Sequence, residues 1–153
     1  MATGPKLSLT GRALRLLSAR EHSRVELQRK LAPYEETPGE LAVVLDKLAS
    51  KDLQSEQRAV DSLVHRRSAK LGTARIRQEM HSKGMDPQAM AGAVEQLRSS
   101  EQARAFEVWR KKFGSPAATP AERAKQVRFL ASRGFGGEAI ARVVSGAFDA
   151  DEG

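Results

Sequence analysis

The sequence predicts an all-α protein, an elongated tandem array of three three-helix repeats with about nine helices. Three observations predict it. First, one apolar spacing recurs along the chain: Leu31, Leu41, Leu45 and Leu48, then Met80, Met90, Val94 and Leu97, then Leu130, Ile140, Val144 and Ala147. Within each set the offsets from the first member are 10, 14 and 17, and the sets are 49 and then 50 residues apart. A period of this length marks stacked helical units rather than one folded-back domain. Such units touch mainly their neighbours and build a long body. Second, helix-capping motifs recur between the apolar stretches. Third, glycine stop signals fall at matching places in the second and third units.

The elements follow in order. The first helix is expected over 9–19. The second, 23–32, opens on Ser23-Arg24-Val25-Glu26. This is a capping box, in which the Ser hydroxyl accepts from the third amide and the Glu reaches back. The third, 38–50, opens on Thr37-Pro38-Gly39-Glu40, with Pro in the first turn where its missing N–H costs nothing. Ser55 starts the fourth, 55–70, with Val60, Leu63, Val64 and Leu71 at helical spacing. The fifth, 73–83, carries Ile76 and Met80. Asp86-Pro87 caps the sixth, 87–98, and Ser99 or Ser100 starts the seventh, 100–113. Gly114 to Pro120 reads as the one clear loop. Thr119-Pro120-Ala121-Glu122 starts the eighth, 120–133, which holds Val127, Phe129 and Leu130, and 137–147 is the ninth.

Lys83-Gly84-Met85 and Arg133-Gly134-Phe135 end the fifth and eighth helices. Each offers a glycine for the left-handed C′ position, a cation at the helix end and an apolar residue at C″. That arrangement pairs Met85 with Met80 and Phe135 with Leu130. Capping accounts for both motifs. The units run over 1–53 with a short N-terminal extension, 54–99, and 100–153 with an acidic tail.

Composition narrows the function. The chain has no cysteine, hence no disulfide framework and no thiolate metal site. No apolar run approaches the ~18 residues of a membrane span. The first residues lack the apolar core of a signal peptide. The expectation is a soluble, cytoplasmic protein with no membrane contact. One Trp, one Tyr and five Phe are fewer than a base-stacking platform for single-stranded nucleic acid would normally show. No HExxH, Walker, GxGxxG or GxSxG motif occurs. His22, His65 and His81 are scattered, and Glu35-Glu36 reads as a solvated loop. The expectation is therefore no enzyme, no metal and no cofactor.

Charge points to a partner. The net +7 divides into +1 over residues 1–65, +9 over 66–142 and −3 after Arg142, from Asp149, Asp151 and Glu152. Arg66, Arg67, Lys70, Arg75, Arg77 and Lys83 stand against one acid, Glu79. Arg66 and Lys70, four apart on the expected fourth helix, project together. Arg110-Lys111-Lys112 closes the seventh helix, where cations also complement the helix dipole. Lys125, Arg128 and Arg133 lie on the eighth, beside Arg123. These residues are the candidate sites for a polyanion or an acidic partner surface.

Four segments resemble the RecX family, regulators of the bacterial recombinase RecA. Residues 13–27, Ala-Leu-Arg-Leu-Leu-Ser-Ala-Arg-Glu-His-Ser-Arg-Val-Glu-Leu, are similar to the family's opening helix and its Ser-x-x-Glu-Leu start. Gly72 to Met80, with Lys83-Gly84 after it, is similar to its central Gly-x-x-x-Ile-x-x-Glu-Leu stretch. Lys125 to Leu130 and Arg133-Gly134-Phe135 are similar to its closing segment. The second unit's start, Ser55 to Val60, lacks the family's acidic pair and Phe. Leu31-Ala32-Pro33-Tyr34 lacks the Lys-Gly cap. The resemblance implies a tandem array of three-helix units that binds the RecA–single-stranded-DNA filament as a monomer. It implies contact with the single strand inside the filament and weaker binding to bare DNA. It also implies negative regulation of RecA ATPase, strand exchange and coprotease activity in recombination, DNA repair and the SOS response. The alternatives are a direct DNA-binding protein built from helix-turn-helix-like units, and a helical scaffold for another acidic partner.

Overall fold

A computed structural model describes residues 6–146. Its α-helices are α1 (Leu9–Ala19), α2 (Arg24–Leu31), α3 (Glu40–Ser50), α4 (Glu56–Arg67), α5 (Thr73–Ser82), α6 (Pro87–Lys112), α7 (Pro120–Ser132) and α8 (Gly137–Val144), and a 3₁₀ turn (Ala32–Tyr34) follows α2. The fold is an elongated array of three-helix units. Leu9, Ala13, Leu27, Leu31, Leu41, Leu45 and Leu48 form the first core. Val60, Leu63, Ile76, Met80, Met85, Met90 and Leu97 belong to the second. Ala105, Trp109, Leu130, Phe135, Ile140, Val143 and Val144 form the third. Each apolar set seen in the sequence thus falls in its own core, Val94 packing on its edge. Ala147, the end of the expected ninth helix and the acidic tail lie outside the described residues.

The caps form as their chemistry requires. Ser23 and Glu26 make the full reciprocal box. Ser55, Asp86 and Thr119 each accept an amide proton in the first turn of α4, α6 and α7. At the helix ends Met85 N–H donates to Met80 O at 3.1 Å and Phe135 N–H to Leu130 O at 3.2 Å, with Gly84 and Gly134 at φ +63° and +92°.

Three expectations are corrected. The sixth and seventh helices are one helix, α6, 26 residues or about 39 Å long. Ser99 and Ser100 do not cap; their hydroxyls donate back to Gln96 O at 2.8 and 3.2 Å, and Ser100 also to Leu97 O. α3 starts at Glu40, because Gly39 holds a left-handed φ of +89° that interrupts the helix, and Glu35 Oε2 takes the Leu41 amide at 2.8 Å. α4 ends at Arg67, so Lys70 sits in the following turn and shares no helix face with Arg66.

The units meet through two equivalent junctions. At the first, Glu56 Oε2 accepts Arg24 N–H at the start of α2 (2.8 Å), and Oε1 accepts Asp86 N–H at the cap of α6 (2.9 Å). At the second, Glu101 Oε1 accepts Thr73 N–H at the start of α5 (2.7 Å), and Oε2 accepts Gly136 N–H at the cap of α8 (3.3 Å). One carboxylate therefore holds two helix N-termini from two units, where free amides and positive dipoles favour an anion. The cap glycines dock alongside. Ser23 Oγ donates to Lys83 O at 2.6 Å, and Gly72 N–H to Arg133 O at 2.7 Å. A Cβ on Gly84 would strike Val25, and one on Gly134 would strike Arg75. Capping thus explains only half of each glycine motif, and close approach between units explains the rest.

His22 lies in the turn between α1 and α2 and is 1% exposed. Its Nδ1 is 2.9 Å from Arg20 O, and its Nε2 is 3.1 Å from Lys30 Nζ. These partners select the neutral ring, donating at Nδ1 and accepting from the ammonium at Nε2. Burial lowers its pKa below the ordinary 6.5, against the Arg20 carbonyl, which raises it.

Two predictions follow from these contacts. Gly134→Val should cost at least about 1 kcal/mol from backbone conformation alone, plus the clash with Arg75. A thermal melt unchanged from wild type would remove Gly134 from both roles. Because the folded His22 pKa is depressed, the unfolded chain binds more protons as pH falls through and below about 6.5. Stability should be full above that value and decline on acidification. His22→Gln should flatten the decline between pH 7 and 5; a slope identical to wild type would clear His22 of the effect.

Candidate anion-binding cleft

The second junction opens into a cleft of about 610 Å³ between units two and three. Three segments bring cations to it. Arg67 ends α4 and Lys70 occupies the turn after it, Lys111 and Lys112 lie in the last turn of α6, and Arg133 follows α7. Arg67 and Lys112 are counterparts, each the twelfth residue counted from a junction glutamate. The floor is apolar, from Leu71, Val108 and the ring of Phe129. Phe129 carries Arg133 Cζ at 4.9 Å and Lys112 Nζ at 5.4 Å from its centroid, and packs edge-on with Phe113 at 5.5 Å and 89°. These are cation–π distances, so the ring keeps both cations in place beside it.

Lys70, Lys111 and Lys112 are exposed and make no ion pair among the described residues. Arg67 is shared, bonding Glu79 at 3.1 and 3.4 Å. Burial raises the Glu79 pKa, but its bonds to Arg67 and Lys83 outweigh this and hold it below the ordinary 4.5. The cleft is therefore a concentration of positive charge over an apolar floor, suited to an anion with a hydrophobic part.

The remaining candidates lie elsewhere. Arg66 turns back to Ser62 O on its own helix. Arg75 Nη1 donates to Ser132 O at 2.7 Å and belongs to the junction. Lys83 pairs with Glu79 at 3.3 Å. Arg110 pairs with Glu107 at 2.9 Å. Arg77 lines a separate groove with Met90, Val94 and Arg98. Lys125 lines a hollow beside Phe113 and Gln126. Arg128 is exposed and has no ion pair or hydrogen bond among the described residues.

Sequence reasoning missed Arg104, whose side chain is 13% exposed. Its guanidinium donates to Ser68 O (3.1 Å), Leu71 O (2.6 Å), Thr73 Oγ1 (3.0 Å) and Leu97 O (2.9 Å). It fixes the turn that carries Lys70 and satisfies carbonyls that a helix end leaves open. Burial lowers its pKa below the ordinary guanidinium value, opposed by Glu101 at 3.9 Å. Arg104→Met should cost on the order of 2–3 kcal/mol by orphaning these acceptors. Amide exchange at residues 69–72 should accelerate before that of the α5 core. Uniform acceleration across the chain would deny Arg104 a local hold on the turn.

Comparison with known proteins places this geometry in a family. Residues 11–48 match the family model of RecX, first three-helix domain, and residues 100–144 that of RecX, third three-helix domain. The regulatory protein RecX of Leptothrix cholodnii is 51% identical over 140 residues, covering 92% of this chain and 89% of the relative. That of Ralstonia nicotianae is 48% identical over 141 residues, with the same coverages. The crystal structure of RecX from Lactobacillus salivarius superposes with a TM-score of 0.75 at 17% identity, over 94% of this chain and 95% of the other. A second crystal structure of regulatory protein RecX gives 0.67, over 95% and 83%. The three cores, their paired junctions and these matches agree, and the chain belongs to the RecX family of regulatory proteins.

Proposed function

We propose that this protein is a negative regulator of RecA. It binds the RecA–single-stranded-DNA filament as a cytoplasmic monomer and modulates ATPase, strand exchange and coprotease activity in recombination and repair. The supporting observation is the cleft between units two and three, where five cations from three segments meet in a regulatory family member. An elongated basic body suits a long anionic nucleoprotein groove. In this reading units two and three carry the binding. Unit one, which brings no cation to the cleft, supports and orients them. The protein acts by binding, without catalysis.

The test is RecA ATPase on single-stranded DNA with substoichiometric protein across a salt series. Lys70, Lys111 and Lys112 changed together to Gln should weaken inhibition about tenfold, about 1.4 kcal/mol. Arg15, Lys47 and Lys51, exposed residues of unit one without ion pairs, should tolerate the same change with less than about twofold loss, since solvated charges contribute little to folding. Inhibition should also fade with salt, because exposed charges are screened beyond ~8–10 Å. Equal loss in both triple variants would remove the cleft from the interface, and no inhibition by the unaltered protein would end the reading. If bare DNA binds as tightly as the filament, the direct DNA-binding reading takes its place.

A further inference from the structure

We propose that the cleft takes single-stranded nucleic acid one base at a time. Phe129 is the stacking platform, and Lys70, Lys111, Lys112 and Arg133 hold the flanking phosphates. This rests on the preceding reading that the cleft faces a DNA-containing filament, and it assigns the DNA contact within that interface.

The chemistry of the lining makes the case. Its polar side chains are all Lys and Arg, which donate and cannot accept. The turn carbonyls of Ser68 and Leu71 are already taken by Arg104. A neutral peptide, held by backbone pairing or a mixed set of donors and acceptors, finds neither here, and an acidic one can use the cations but leaves the apolar floor unused. A phosphodiester chain needs only donors and positive charge. Its bases need only an apolar face to stack on, and every base has one. The cleft supplies the face in Phe129, half-buried, with Arg133 and Lys112 over the ring at 4.9 and 5.4 Å; both side chains are exposed, and a stacking base displaces them from the ring onto its flanking phosphates.

The scarcity of aromatic residues counts against a platform of many rings, but a single-base contact does not need many. An extended track needs many rings, whereas a one-base platform needs one. Among the described residues, all the aromatics except Tyr34 lie between Phe106 and Phe135, in the third unit. Phe129 is the one that lines the cleft. Two properties follow. Binding should depend little on sequence, because every base has a face to stack on and every nucleotide the same phosphate. It should favour single strands over duplex, because paired and stacked bases cannot reach the ring.

The experiment measures binding to bare DNA at low salt by fluorescence anisotropy. The probes are an oligothymidylate, an abasic oligomer of equal length, a duplex and an oligoglutamate of matched charge. Phe129→Leu keeps an apolar side chain for packing and removes the π face; Phe129→Trp keeps the face. The expected result is a loss of about tenfold for Phe129→Leu on oligothymidylate, little change on the abasic oligomer or duplex, and wild-type or tighter binding for Phe129→Trp. The Lys70, Lys111 and Lys112 triple change to Gln should weaken all the DNA probes and flatten the log–log salt slope on single strands by about 2, at ~0.7 per contact. Loss of equal size on oligothymidylate and abasic probes, or no loss on either, overturns the stacking role. Oligoglutamate binding as tight as oligothymidylate assigns the cleft to an acidic peptide and overturns the proposal. The RecA ATPase assay of Phe129→Leu separates the two readings. Normal DNA binding with lost inhibition overturns the stacking contact and leaves RecA regulation standing. The expected Phe129→Leu pattern with no RecA inhibition by the unaltered protein leaves stacking standing and removes RecA regulation.

Discussion

The arrangement of the whole molecule depends on a carboxylate set between two helix N-termini. Glu56 and Glu101 each accept one amide from the second helix of the preceding unit and one from the third helix of their own. A helix start presents unpaired N–H groups and a partial positive charge. Two starts facing each other would repel and leave donors unsatisfied. The carboxylate resolves both problems at once and fixes the distance between units. The glycine caps then close on the neighbouring helix start, and the turn after α4 is brought against the end of α7. The basic cleft exists because that second junction closes. Its cations come from the ends of α4, α6 and α7, 21 or more residues apart along the chain, and local sequence has no means of gathering them.

Much of this was legible in the sequence, for identifiable reasons. Ser23, Ser55, Asp86 and Thr119 announced helix starts because a cap acts over three residues. Gly84 and Gly134 announced helix stops because few other residues hold a positive φ. The apolar spacing reported the cores because a helix repeats. What escaped was the long-range use of backbone groups. Glu101 and Arg104 bond mainly to amides and carbonyls, which every residue carries, so no pairing of residue types betrays them. Ser99-Ser100 misled because a serine pair serves equally as a cap or as a bond back to the preceding turn. Only the uninterrupted run Met90, Val94, Leu97, Glu101, Ala105 and Trp109 shows that the helix continues. Lys70 was misjudged by three residues of helix length, and that changed its neighbours entirely.

Counting basic residues gathers cations that the structure spreads over several places, and it passes over the apolar floor of the cleft. Arg75 and Arg104 hold junction carbonyls, Lys83 and Arg110 pair with acids, and Arg67 is shared with Glu79. These cations serve the fold in whole or part. Three lysines and Arg133 at the cleft are left for a partner, and they surround a phenylalanine that charge analysis had no reason to single out. The positive field and the proposed binding cleft are thus different sets of residues, overlapping at only a few positions.

The unbroken α6 has an evolutionary consequence. A helix that crosses from one core to the next locks their rotational phase. One inserted residue would turn everything beyond it by about 100° and advance it by about 1.5 Å, carrying Glu101 away from Thr73. Such an error cannot be absorbed locally. The first and second units are joined differently, by a short turn over residues 51–55 that includes Asp52 at φ +58°. There an extra residue changes a loop and leaves both cores in register. Length variation within this architecture is therefore permitted beside unit one and in the loop after α6, and forbidden along α6 itself. The second and third units must be inherited as a single phased object.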